Sequence, residues 1–387
     1  MKPRYFMNKE AIVIGLGISG CVSARLLADA GYSVTCFERE SLIGGNLVEE
    51  LRPNGQRIQA FGPHIFHTDH EEVYAFLKRF GNFYPYTHRV LAGIDGTIVP
   101  VPLNFNSLTL LFGSSRSGHL QKKLVGKFGK DTRVGLSSLL SSGDTELIGL
   151  GKYINEHLQI ANINRKDDGT FSACDDSYMY DTYVVTGDSD NYYPDKFQAM
   201  PILGFIPLLE SMLSHQKITY HTNTDAFARL SLVESTGSFL FDGIPFKGPV
   251  IYTPSLDILF DFRYGRLPYR TSKISYEDVD QDYYLESAVL TDANDASSVR
   301  VSESKYFTMI DTPGRSSICR EAPYEVESRN NGEPFEPAIT PESRALYSRY
   351  ADLADRYSSL YLLGRLACFK NMSIAECITQ AMTELPL

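Results

Sequence analysis

Residues 11–46, AIVIGLGISGCVSARLLADAGYSVTCFERESLIGGN, constrain the fold more than any other stretch of the chain. A β-branched run, Ile12 to Ile14, enters Gly15-x-Gly17-x-x-Gly20; apolar residues at helical spacing (Val22, Leu26, Leu27, Ala30) follow, then a second strand from Ser33 to Phe37. This order predicts a βαβ unit. The three glycines permit a tight turn, a close approach of bare backbone to a pyrophosphate, and close packing of helix on sheet, with the helix N-terminus facing the anion. Glu38 ends the second strand, where a carboxylate can accept hydrogen bonds from a ribose diol. Arg39 and then Gly44-Gly45-Asn46 form a continuation typical of FAD-binding rather than NAD-binding chains.

The rest of the composition bounds what this nucleus can belong to. With 387 residues and 43% hydrophobic content the chain can bury two or three cores, and its mean hydropathy of -0.19 describes a soluble protein. No apolar run approaches the roughly 20 residues of a membrane span, and the start MKPRYFMNKE has no signal-peptide apolar segment. The six cysteines lack metal-ligand spacing and read as reduced thiols in a cytoplasm. A net charge of -10 argues against nucleic acid as a partner, because phosphate neutralisation needs a basic surface.

Phe61-Gly62-Pro63-His64-Ile65-Phe66-His67 leads into Thr68-Asp69-His70-Glu71, and Thr68 with Glu71 predicts a capping box that pins the histidine loop at a helix N-terminus. His64-x-x-His67 on a Gly-Pro loop offers neither one face of a regular element nor companion carboxylates, so no metal site is expected. Asp95-Gly96 between two apolar runs is a hairpin signal. Residues 107–190 read as helices with polar connections, and Lys122, Lys123, Lys127 and Lys130 among them as a solvated helix face. Residues 267–325 alternate as in an antiparallel sheet, and Ser373 with Glu376 predicts a second capping box, opening a C-terminal helix.

FGPHIFHT after an FAD-type glycine motif, Pro102-Leu103-Asn104-Phe105-Asn106, Phe260-Asp261-Phe262-Arg263-Tyr264-Gly265 with Tyr269-Arg270, and Gly364-Arg365-Leu366-Ala367 occur in the order found in the UDP-galactopyranose mutase family, which this chain resembles from about residue 11 to 385. The resemblance implies an α/β architecture: a Rossmann-like FAD-binding domain (1–80, 191–255 and 345–387) with an inserted helical, substrate-side domain (107–190) and an antiparallel β-sheet domain (81–106 and 256–344). It also implies a homodimer acting on a small-molecule substrate, a nucleotide sugar, by ring contraction through an N5-glycosyl adduct of reduced FAD. The flavin would be held by Gly15, Gly17, Ser19, Gly20, Glu38, Arg39, Gly45, Asn46, His64, Ile65, Arg365, Ser373 and Ile374. His64 and His67 would shape the reacting face. Arg300 would hold the leaving diphosphate ready to return, and Asn104, Tyr192, Arg263 and Asn371 would complete the substrate side. A helix N-terminus at Ser373 would favour the reduced, anionic ring by about 0.3–1 kcal/mol.

The departures from the family's pattern concern the substrate. The chain has no tryptophan, although the family's mobile loop places one beside the uracil. That region reads ANINRKDDGTF, and Asp181 stands where an ungapped alignment places the family's clamp arginine, leaving Arg165 as the candidate substitute. Ala322 and Asn371 replace two phosphate-binding tyrosines. The expectation is a mutase on a nucleotide sugar other than UDP-galactopyranose. Two alternatives stay open: an FAD-dependent oxidoreductase on a polar substrate, and a flavin-binding paralogue without turnover.

Overall fold

The computed structural model describes residues 9–158, 183–271, 274–292, 300–321, 325–327 and 335–387. Arg165, Asp181 and Ala322 lie outside the described residues, as does Cys174.

The glycine motif sits where its pattern placed it, between strand β1 (Glu10–Ile14) and helix α1 (Ile18–Asp29), which is followed by strand β2 (Ser33–Phe37). β1 lies at the centre of a five-stranded parallel sheet, flanked by β2 and then Ile218–His221 on one side, and by Val250–Tyr252 and then Leu360–Leu362 on the other. Alternate side chains of a strand point to opposite faces, so β1 feeds two cores. Ala11 and Val13 pack with α1, the helix Phe205–Leu213 and the C-terminal helix Ile374–Glu384. Ile12 and Ile14 pack with Phe239, Tyr350 and Leu353, from a small antiparallel sheet (230–246) and the helix Pro341–Ala354.

A second sheet of six strands runs in the order Ile274–Val279, Ser316–Glu321, Arg300–Glu303, Val289–Asp292, Val90–Ile94, Thr97–Val101. It is antiparallel except between Val289–Asp292 and Val90–Ile94, which are parallel, a pairing no hairpin signal could announce. Asp95 and Gly96 both have positive φ (49° and 77°), the geometry of a two-residue hairpin turn. The segment after it is helical: Phe105–Phe128, interrupted at Gly113 (φ 73°), then Leu136–Leu140 and Thr145–His157. Lys123 pairs with Asp144 and Glu146 on this surface.

One cap differs from expectation. The helix after the histidine loop is Glu71–Leu77 with His70 at its N-cap, and Thr68 Oγ1 accepts from the amide of His70 at 3.0 Å, a local turn in place of a capping box. At the other end of the chain the predicted box is present, with Ser373 Oγ accepting from Glu376 and the Glu376 carboxylate accepting from Ser373. Among the described residues no helix is long and apolar enough to cross a membrane.

Candidate active site

The carboxyl ends of β1, β2 and Val250–Tyr252 open onto an elongated cavity of about 880 Å³. Its near end is the glycine turn. Gly15 has φ +86°, and a Cβ there would lie 2.3 Å from Thr253 Oγ1; a Cβ on Gly20 would lie 1.9 Å from the carbonyl oxygen of Gly15. Those two positions are closed to any side chain. Gly17 differs, because a Cβ there would meet nothing nearer than 3.8 Å, so its bare backbone leaves room on the cavity side. The first turn of α1 carries no side-chain cap and no acidic residue, which leaves helix N–H groups and the positive end of the dipole for an anion.

Glu38 lines the same cavity, is 9% exposed, and accepts from the amides of Leu16 (2.8 Å) and Glu40 (3.0 Å). These bonds aim the carboxylate and leave further lone pairs for a diol. Arg39 is exposed and paired with Glu40, on the rim. Gly44 and Gly45, both with positive φ, run beside Gly17, and Asn46 donates to the carbonyl of Phe335 at 3.1 Å. A dinucleotide fits this set: a cradle that side chains would fill, an anchored acid, and length enough to reach a second cluster.

That cluster comprises His64, Arg365, Ser373 and Ile374, all on the cavity wall. Arg365 donates to the carbonyl of Met372 (2.7 and 3.2 Å) and to that of Phe335 (3.3 Å), which locks the turn before the C-terminal helix. Burial, then the charge of Arg365, push the His64 imidazole down to about 4, against the bond from its Nδ1 to the Gly62 carbonyl. His64 is therefore neutral at pH 7.

Two residues expected at this face are elsewhere. His67 follows Phe66 in a strand, so it points to the side opposite the core; it stacks on Tyr193 (3.7 Å, 11°), bonds Asp195 at 3.0 Å, and does not line the cavity. Burial works to raise the Asp195 carboxyl, but the bond from His67, together with the charges of His67 and Arg133 and a backbone bond, outweighs it and holds it below the usual range. Ile65 is buried in the core.

The substrate-side residues divide in the same way. Arg300 opens the strand Arg300–Glu303, and burial followed by the Arg300 charge and then His67 pushes His88 down to about 3. His88 bonds Tyr86 at 3.0 Å and lies edge-on to Tyr192 and stacked near Tyr193. Arg133, from a short strand in the helical segment, donates to the Tyr192 carbonyl at 2.7 Å. Arg300 and Tyr192 thus belong to one cationic and aromatic cluster with His67, His88, Arg133 and Tyr193, and the last three carried no motif. Asn104, by contrast, is fully buried and spent on structure: it caps the helix Phe105–Phe128 and donates to Ser189 and Asp190. Arg263 is a surface residue paired with Glu234; its neighbour Arg266, which sits over Phe262, lines the cavity instead. Asn371 is next to the wall residue Met372, and its buried Oδ1 has no hydrogen-bond partner among the described residues. No group of three or more His, Cys, Asp or Glu among the described residues could hold a metal ion.

Residues 170–371 match the family model described as UDP-galactopyranose mutase, and residues 13–80 match that of an NAD(P)-binding Rossmann-like domain. A Klebsiella pneumoniae protein described as a probable UDP-galactopyranose mutase is 28% identical over 97% of this chain and 93% of its own length. The dTDP-fucopyranose mutase of Escherichia coli is 27% identical over 97% of each chain. The crystal structure of a reduced UDP-galactopyranose mutase superposes with a TM-score of 0.71 at 14% identity, covering 97% of this chain and 93% of that one, which shows a shared fold.

Proposed function

The chain belongs to the UDP-galactopyranose mutase family, and from that premise we propose that it is a flavin-dependent sugar mutase, with FAD as the flavin and a nucleotide sugar other than UDP-galactopyranose as substrate. The observation that carries the cofactor assignment is the continuity of one cavity from the Gly17 cradle and Glu38 to His64 and the N-terminus of the helix Ile374–Glu384. Gly17 and the first turn of α1 would take the pyrophosphate, Glu38 the adenosine ribose, and Arg365 and Ser373 would order the wall at the ring. When bound, the reduced flavin supplies the nucleophile for the pyranose-to-furanose contraction. The chain's own part is to orient and to balance charge. His64, neutral at pH 7, adds no cation at the ring, and the cluster that holds Arg300 and Arg133 supplies the cations that would retain an anionic leaving group.

The choice of substrate rests on the sequence departures, together with the near-equal identity to relatives named for UDP-galactopyranose and for dTDP-fucopyranose. The test is a panel of UDP- and dTDP-hexopyranoses incubated with dithionite-reduced holoenzyme and resolved by chromatography. Furanose product from a dTDP-sugar or another non-galactose donor, with no net consumption of reductant, is the expected result. Stoichiometric NAD(P)H oxidation coupled to product would transfer the assignment to an oxidoreductase.

A further inference from the structure

The loop that brings His64 to the cavity is closed at its root by one side chain. Gln59 ends the strand Arg57–Gln59, is 2% exposed, and does not line the cavity. Its Nε2 donates to the carbonyl of His64 at 3.2 Å, and its Oε1 accepts from the amide of the same residue. A single side-chain amide thus satisfies both backbone groups of His64, as a neighbouring strand would. The backbone carbonyl of Gln59 is occupied in turn by the amide of Gly62 (3.1 Å) and the hydroxyl of Tyr276, which stands on the six-stranded sheet. The tip of the loop is confined too: Gly62 has φ +80°, and a Cβ there would lie 3.3 Å from the carboxylate of Glu321. His64 Nδ1 lies 2.9 Å from the Gly62 carbonyl. A carbonyl oxygen only accepts, so Nδ1 carries the hydrogen, and Nε2 of the neutral ring keeps its lone pair.

We propose that Gln59 is a positioning residue for the flavin face: its two-point clasp on the His64 backbone holds the loop in the one conformation that presents the His64 ring, as its Nδ1–H tautomer, to the cofactor. The inference rests on the flavin reading above. An apolar residue at position 59 would leave the N–H and C=O of His64 without these partners, and the loop would move to recover others. At the usual net worth of two hydrogen bonds, the ratio of held to displaced loop would fall by roughly 5- to 150-fold.

The experiment compares wild-type holoenzyme with Gln59→Met, His64→Ala and the double variant by bound flavin per chain, visible flavin absorbance and flavin midpoint potential. Gln59→Met is expected to keep its flavin, to shift potential and absorbance in the same direction as His64→Ala, and to add nothing to His64→Ala in the double variant. A lowered melting temperature with wild-type potential and spectrum overturns the proposal, as do additive shifts. Should Gln59→Met fail to fold, hydrogen exchange on the wild type decides: the His64 amide is expected to exchange at least about a hundredfold slower than an unstructured peptide, and exchange at the peptide rate overturns the clasp. Colourless wild-type protein would remove the flavin reading while leaving the exchange result to stand or fall alone.

Discussion

Gly17→Asp separates flavin binding from folding more sharply than any other single change in the cradle. At Gly17 the backbone has φ -72° and ψ -171°, which any residue adopts, and a Cβ would have 3.8 Å of clearance. The variant should therefore fold, and its carboxylate gains by capping α1, though replacing glycine at an N-cap is worth only a few tenths of a kcal/mol. The same carboxylate would occupy the place proposed for the pyrophosphate. Two unit charges about 4 Å apart at an effective dielectric near 20 repel by about 4 kcal/mol, close to a thousandfold in affinity. Gly20→Ala is the contrasting control: its Cβ would lie 1.9 Å from the Gly15 carbonyl oxygen, so it should lose stability and flavin together. The assay is the flavin-to-protein absorbance ratio after desalting, with circular dichroism melts of each apoprotein. Gly17→Asp is expected colourless, with a melting temperature at or above that of wild-type apoprotein. A yellow Gly17→Asp protein at full occupancy would refute the assignment of the cradle.

Three further outcomes follow from the same geometry. His64 and His88 are held near 4 and 3, below the roughly 6.5 of an unfolded histidine, so the unfolded state binds more protons as pH falls through that window. Stability should drop between about pH 6.5 and 4, by up to about 1.4 kcal/mol per pH unit for each histidine, and denaturant melts of His88→Gln should show a shallower slope; an unchanged slope refutes this. Asn104→Ala should cost about 1–3 kcal/mol of stability through the lost cap and its bonds to Ser189 and Asp190, with KM near wild type in protein that remains folded; a KM effect without a stability effect would return Asn104 to the substrate side. UDP should bind at millimolar strength or weaker, because two charged hydrogen bonds at about 1.5–3 kcal/mol each disappear with the tyrosines replaced by Ala322 and Asn371; micromolar binding by calorimetry would show that another residue rebuilds the clamp.

The nucleotide-binding half of the fold was legible because its determinants are local. Ile12 to Ile14 reads as a strand buried on both faces, and Gly15 and Gly20 are demanded by contacts set within a few residues or across one strand pairing. The second capping box at Ser373 is equally local, and it was found. Thr68 carried the same pattern and failed, since its hydroxyl is taken by the amide two residues on, and the N-cap is that residue, His70, with the helix beginning at Glu71. Pattern alone does not distinguish those two uses of a threonine.

On the proposed substrate side the motifs pointed to Arg300 and Tyr192, but set His67 on the flavin face and left out the residues around them, for a different physical reason. His64 and His67 are three residues apart, a spacing that shares one face on a helix but not across the passage from a loop into a strand, where alternation decides. Phe66 enters the core, so His67 must leave it, toward Tyr193 and Asp195. The cluster it joins draws Tyr86 and His88 from the approach to one hairpin, Arg133 from a two-residue strand, Tyr192 and Tyr193 from a loop, and Arg300 from the second sheet. Apart from Tyr192 and Arg300, each is an ordinary surface or core residue when read along the chain. What brings them together is the register of pairings such as Val289–Asp292 with Val90–Ile94, a parallel join between segments some two hundred residues apart. A residue specified by such a long-range pairing leaves no periodicity to read, so the grouping of these side chains emerges only once both sheets are assembled.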